Sequence, residues 1–240
     1  MKYEFTGESK AFDGITLKRI RRIANGEVGG WIENETNLNQ SGNAWVYGDA
    51  WVYGDARVSG DALVSGDAWV YGNALVYDNA RVYGNARVSG DAQVYGNALV
   101  CGDALVWGDA QVYGNALVSG NARVWGDAQV WGDALVSGNA RVSGDARVYG
   151  NAQVYGDARV SDNARVYGNA DFLLVGPIGS RRSFLTVTAD AKIKVRFTTG
   201  CFSGSRKQLI EAIKKTHKPT SRYAKEYAAA LVMAKLVKAK

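Results

Sequence analysis

His217 is the one histidine of the chain, and Cys101 and Cys201 are its two thiols. An imidazole can take a proton from an acceptor hydroxyl or amine, and a thiol beside it can attack a carbonyl, if the groups come within hydrogen-bonding reach. His217 stands in KKTHKP, where a capping or surface role is expected of it. Cys201, in GCFSG, is expected to pack where a hairpin meets a helix, and Cys101 to be outward filler equivalent to serine. No Ser-His-Asp set, phosphate loop, dinucleotide fingerprint or metal-ligand spacing occurs elsewhere. The chain therefore reads as a non-catalytic protein without a cofactor. The other chemistry on offer is anion binding: Arg181, Arg182, Arg206, Lys207, Lys214, Lys215 and Lys218 crowd one short region and could hold the phosphates of a nucleic acid or nucleotide signal.

Those cations belong to a strong asymmetry. The net charge is +6 over 240 residues, but residues 41 to 170 carry eight Arg, no Lys and thirteen Asp, for a net of −5. The last 70 residues hold fifteen basic and four acidic side chains, net +11, and the first 40 balance. No stretch approaches the roughly 20 apolar residues of a membrane span, and MKYEFTGESKAFDG lacks the basic-then-apolar layout of a signal peptide. A cytoplasmic protein without membrane attachment is expected, its thiols reduced.

The elements that must position these groups are written in a repeat. From Val46 to Val166 every sixth residue is Val, 21 times without exception, and Ala recurs at the same period from Ala44 to Ala170. The unit is Ala-x-Val-y-Gly-(Asp/Asn). Side chains alternate along a strand, so Ala and Val point one way and x and y the other. Gly followed by Asp or Asn is turn chemistry, because these residues reach the left-handed region at least cost. Each unit is one short strand and one corner, and only stacked coils can bury the Ala/Val face.

Two terminal modules are expected to seal the stack. KYEF and ITLKRIRRI read as strands of an N-terminal cap over residues 1–40, with Ile32 and Leu38 standing where Ala will later sit. The solenoid is assigned to 41–175. In residues 176–240, SFLTVTADAKIKVRF (183 to 197) alternates like a hairpin. Ser205 and Gln208 form a capping box opening a helix to about His217, and Pro219 separates it from a second helix, SRYAKEYAAALVMAKLVKAK.

This array resembles the hexapeptide-repeat, left-handed parallel β-helix family. The resemblance implies a left-handed, triangular coil of three units, hence about seven coils and roughly 34 Å of rod at ~4.8 Å per coil. Residues 18 apart then share a column. One wall carries Gln93, Gln111 and Gln129 beside the aromatic column Tyr77, Tyr95, Tyr113, Trp131, Tyr149 and Tyr167, which reads as a ring ladder stiffening the rod or as a stacking surface for a ligand. A second holds Trp51, Trp69, Arg87, Leu105, Arg123, Arg141 and Arg159 beside Tyr53, Tyr71, Trp107 and Trp125. Arg beside aromatic rings could grip phosphate and stack bases, but Asp at the corners opposes a polyanion. The third runs Trp45, Leu63, Arg81, Leu99, Leu117, Leu135 and Gln153. Its leucines, Leu63, Leu99, Leu117 and Leu135, form an apolar stripe, expected to serve self-association as a dimer or trimer, a partner, or docking of the C-terminal helices.

Enzymes of that family are acyltransferases whose base is a histidine near a loop interrupting the coils. The array here has neither, which leaves His217 as the sole position for such a base. The whole chain also resembles small bacteriophage and prophage proteins through FDGITLKRIRRI, VGGWIENETNL, the GNAWVYGDA array, GPIGSR and the end GCFSG followed by a helix with His217 and AKEY. That resemblance implies an accessory protein in the cytoplasm of an infected bacterium that binds a host macromolecule, for instance a defence complex. Nucleic-acid or nucleotide binding through the basic C-terminal module is the alternative, and acyl transfer at His217 a third.

Overall fold

The computed structural model describes residues 1–168 and 171–237. Its centre is a parallel β-solenoid of three walls, each carrying seven rungs two or three residues long from the repeat. The register between successive coils is 18 residues: Gln111 pairs with Gln129, Arg123 with Arg141 and Leu99 with Leu117. All 21 valines from Val46 to Val166 are buried, as are the alanines from Ala44 to Ala164, and they form one continuous apolar cluster. Ala170, the last expected of the series, lies outside the described residues, as do residues 238–240 of the second helical segment.

The corners explain the fixed Gly. Gly102 has φ +67°, and a Cβ added to it would stand 3.0 Å from the amide nitrogen of Gly120 in the next coil. Asp78 and Asp162 take the same place with φ 58° each, because Asp pays less than other side chains for the left-handed conformation. The following Asn or Asp bond from coil to coil: the Asn97 amide donates to Asn115 Oδ1 at 3.1 Å, and the Asn115 amide to Asp133 Oδ1 at 3.0 Å.

The N-terminal cap is a hairpin, β1 (Tyr3–Phe12) and β2 (Ile15–Arg22), followed by β3 (Val28–Ile32). β3 pairs antiparallel with β2 and parallel with the rung Trp51–Val52, so the cap itself begins an eighth coil. Gly30 makes this approach feasible, since a Cβ there would meet the Ala50 carbonyl oxygen at 2.7 Å. Here the structure corrects the expected register. Ile32 pairs with Val52 and Leu38 bridges to Val58, so both take the Val place and not the Ala place. This first coil is 20 residues long because the corner at Asn39–Ser41 holds two extra residues before Gly42. Just before that corner the Asn37 backbone N–H is spent on Asn34 in a short helical turn, and its side-chain amide takes over the bonds to the next coil, donating to the carbonyls of Gly54 and Ala56 at 2.8 and 2.9 Å. Trp45, expected to face outward, is fully buried: the cap closes over it with Tyr3 and Arg22 against its ring.

Beyond Val166 the period ends and the chain turns antiparallel. The expected hairpin is present as Ser183–Asp190 and Lys194–Thr199. It gains a strand on each side, Phe172–Ile178 and Phe202–Gly204, which alternation alone did not indicate. Ser183–Asp190 also pairs with Ala164–Val166, so this sheet continues the first wall. α1 (Arg206–Thr216) opens with the Ser205/Gln208 capping box and ends at His217, and α2 (Arg222–Met233) is capped by Ser221. Both helices pack on the antiparallel sheet around a second core that includes Leu185, Phe197, Leu209 and Leu231. They do not dock on the leucine stripe, because Leu209 of α1 and Ala230 and Leu231 of α2 are spent on this second core.

Candidate functional site

The C-terminal module is fixed to the rod by an ionic junction that runs from a buried pair in the module to a half-exposed carboxylate of the rod. Arg196 donates through Nε to Asp190 Oδ2 at 2.6 Å and through Nη1 to Asp162 Oδ2 at 2.7 Å, and Ser203 Oγ donates to the same Asp162 oxygen at 2.8 Å. The Asp190 side chain is wholly buried. Burial raises its carboxyl, but the Arg196 hydrogen bond and backbone N–H groups of Ile193 and Lys192 outweigh that, and the net shift is below the ordinary carboxylate value. Arg159 of the second wall adds a backbone N–H to Thr186 Oγ1 at 2.9 Å and a guanidinium bond to the Gly200 carbonyl. Of the basic hairpin residues, Arg196 is thus committed to structure, while Lys192 and Lys194 remain exposed.

On this fixed platform all seven residues of the anion-binding set are exposed: Arg181 and Arg182 on the turn after Ile178, Arg206 and Lys207 at the start of α1, Lys214 and Lys215 at its end, Lys218 beyond it. Among the described residues none of the seven is in an ion pair. Arg181 lines a cleft of about 380 Å³ together with Ser183, Thr199, Cys201, His217 and Tyr227. Cys201, expected to pack at the junction, is exposed there, because Leu209 and Phe197 already fill the core beneath. The structure therefore brings Cys201 and His217 to one cleft, but His217 packs its ring against Tyr223 and Tyr227, at 5.5 and 6.2 Å. Thr199 Oγ1 is buried with no hydrogen-bond partner among the described residues. Sequence reasoning did not single out Thr199; its signal was parity with Phe197 on a strand whose helix-facing side is the covered one.

The walls keep their expected columns. Tyr77, Tyr95, Tyr113, Trp131 and Tyr149 stack with centroids 4.4 to 5.6 Å apart and planes within 8°, and only Tyr167 turns edge-on. Ring faces inside this column are consumed by neighbouring rings, so a ligand would meet their edges; the ladder is the reading the geometry favours. Burial raises the phenols of Tyr77, Tyr95 and Tyr113. The Gln column lies in register beside it. Leu99, Leu117 and Leu135 occupy successive rungs of the third wall, half-buried, while Leu63 stands beyond Arg81 and packs against the core rim. Cys101 faces outward as expected, half-buried beside the Tyr83 hydroxyl.

A family model described as the YdcK beta solenoid repeat matches the chain eight times, over residues 56–72, 68–84, 80–94, 92–108, 110–126, 128–144, 140–156 and 158–170. The chain is a repeat β-helix protein. The matches together cover just under half of it and lie inside the solenoid. No curated protein matches the chain. Among the described residues, no helix of this β-solenoid protein is long and apolar enough to cross a membrane.

Proposed function

We propose that this protein is a non-catalytic binding protein, a self-associating β-solenoid that uses its rod as a rigid spacer and its C-terminal module to hold an acidic face of a partner macromolecule. One observation carries the reading: seven exposed cations, none in an ion pair among the described residues, sit on a module locked to the end of a rod of opposite net charge. A fixed module presents them without the ordering cost of a tethered tail. Self-association is assigned to the third wall, where Leu99, Leu117 and Leu135 offer an apolar strip that α1 and α2 leave uncovered. Following the resemblance stated above, the setting is a bacteriophage or prophage accessory role in the host cytoplasm, with a host protein complex, such as a defence complex, as partner. Acyl transfer is not part of this reading, because the His217 ring packs against Tyr223 and Tyr227 and, among the described residues, no carboxylate orients it.

The test is affinity capture from infected-cell lysate with the wild type and with a variant carrying Arg206→Glu, Lys207→Glu, Lys214→Glu and Lys215→Glu. A protein captured by the first and lost with the second, at unchanged unfolding temperature, supports the proposal; identical captures refute it. Solution mass gives the second half: Leu117→Lys lowers the oligomer to a monomer, and a wild type already monomeric removes self-association. Nucleic acid as the partner of the same cations would appear as binding that weakens steeply with salt.

A further inference from the structure

The second wall carries a ring column interrupted at one coil. Its y positions in successive coils are Tyr53, Tyr71, Ser89, Trp107 and Trp125. Tyr53 and Tyr71 stack at 5.1 Å with planes 4° apart, and Trp107 and Trp125 at 5.0 Å, also 4° apart. The rings therefore lie across the rod with their faces directed along it. Tyr71 and Trp107 each have one face covered, and their other faces look toward one another over the rung that carries Ser89. They stand two stacking steps apart, the spacing the column would have with one further ring between them. A cleft of about 350 Å³ opens at this point, lined by Tyr71, Arg87, Ser89, Leu105, Trp107 and Arg123.

The third wall also has a small residue between rings, Ser65 between Tyr47 and Tyr83, where Tyr47 stands edge-on to Trp45 and Tyr83 lies beside Cys101. On the second wall the rim is also cationic. Arg87 lies 4.6 Å from the Trp69 ring, Arg123 is exposed, and neither is in an ion pair among the described residues. Exposed Asp91, Asp109 and Asp127 line the adjoining corner. A long polyanion along this wall would meet those carboxylates, whereas a single anionic group seated between two guanidiniums would not.

The geometry points to a site for one planar heteroaromatic ring bearing a single anionic group, the chemistry of a free mononucleotide. The base enters between Tyr71 and Trp107 and completes the column; Arg87 and Arg123 receive the phosphate. The site is independent of the C-terminal cations and of the partner proposed for them.

The experiment is calorimetric titration of the full-length protein with AMP, with adenosine and with a short oligoadenylate. AMP is expected to bind saturably, and adenosine at least about tenfold more weakly, since it lacks the group that Arg87 and Arg123 recognise. Ser89→Tyr supplies the ring from the protein itself: it is expected to keep or raise the unfolding temperature and to abolish AMP binding. Trp107→Leu removes one stacking face without adding bulk and is expected to weaken AMP about tenfold. Equal AMP affinity in the wild type and in folded Ser89→Tyr or Trp107→Leu overturns the assignment. So does the absence of saturable binding of AMP, GMP, CMP and UMP at millimolar concentration. Oligoadenylate binding more tightly than AMP transfers the site to a nucleic-acid strand and overturns the free nucleotide.

Discussion

The rod and the C-terminal module solve the same problem, burying a sheet face, in opposite ways. The rod repeats one contact set coil after coil, with Ala and Val inside. The module makes each contact once, around a mixed core, and fastens itself with the Arg196–Asp190–Asp162 junction. In the first, loss of one contact is shared among like neighbours; in the second, no other residue can substitute. Repeated packing and one-off packing are thereby assigned to different regions of one chain.

Spectroscopy can separate the two, because all seven Trp lie between residues 31 and 131 while both α-helices lie in the module. Indole fluorescence reports cap and rod; the far-ultraviolet helix signal reports the module. The largest effect is expected from Arg196→Ala, which leaves Asp190 buried without its cation at a cost of about 3–5 kcal/mol. Helix signal should then be lost at lower denaturant than indole signal, and coincident transitions would mean that the two regions unfold as one. Val112→Ala, in the middle of the rod, is expected to cost about 2 kcal/mol for lost burial and the cavity left behind. A value below half of that would show the coils closing over the gap. Tyr113→Ser removes one member of the aromatic ladder and should cost about 1 kcal/mol by urea titration; a neutral result would make the ladder a consequence of the fold and not a support for it.

Acid gives the mildest and most selective test. The folded Asp190 carboxyl lies below its unfolded value, so the stability it contributes is complete above the ordinary carboxylate range and is lost as pH falls through the lower folded value. The helix signal should therefore weaken with acid before the indole signal does, and Asp190→Asn should remove that difference. Simultaneous loss of both would assign acid sensitivity to the corner Asp residues of the rod.

How far the sequence could be read follows the same division. Period six, the in/out alternation and the corner Gly were visible in single letters, and so were the 18-residue columns once a three-sided coil was assumed. Ser205 and Gln208 announced α1 because a capping box is local. What stayed hidden depends on contacts distant in sequence. Trp45 has the x position of an outward residue, and only the cap hairpin folding back makes it core. The 20-residue first coil was concealed because Ile32 and Leu38 fit the Ala spacing by count, while the extra residues sit in a polar corner that any turn could contain. Asp162 reads like Asp78, another corner Asp; yet Asp78 receives the Gly96 N–H of the next coil and Asp162 receives Arg196 from 34 residues on. The clefts depend on Ser89 and Thr199, whose importance lies in what surrounds them.

The three-walled register has a consequence for how such a chain can lengthen. Duplicating three units adds one storey and leaves every column and the terminal module in the same orientation. Duplicating a single unit preserves the buried lining but advances everything downstream by one wall, swinging the module a third of a revolution around the axis. Copy number modulo three is thus a dial for the direction in which the cationic end faces, adjustable without altering one buried side chain.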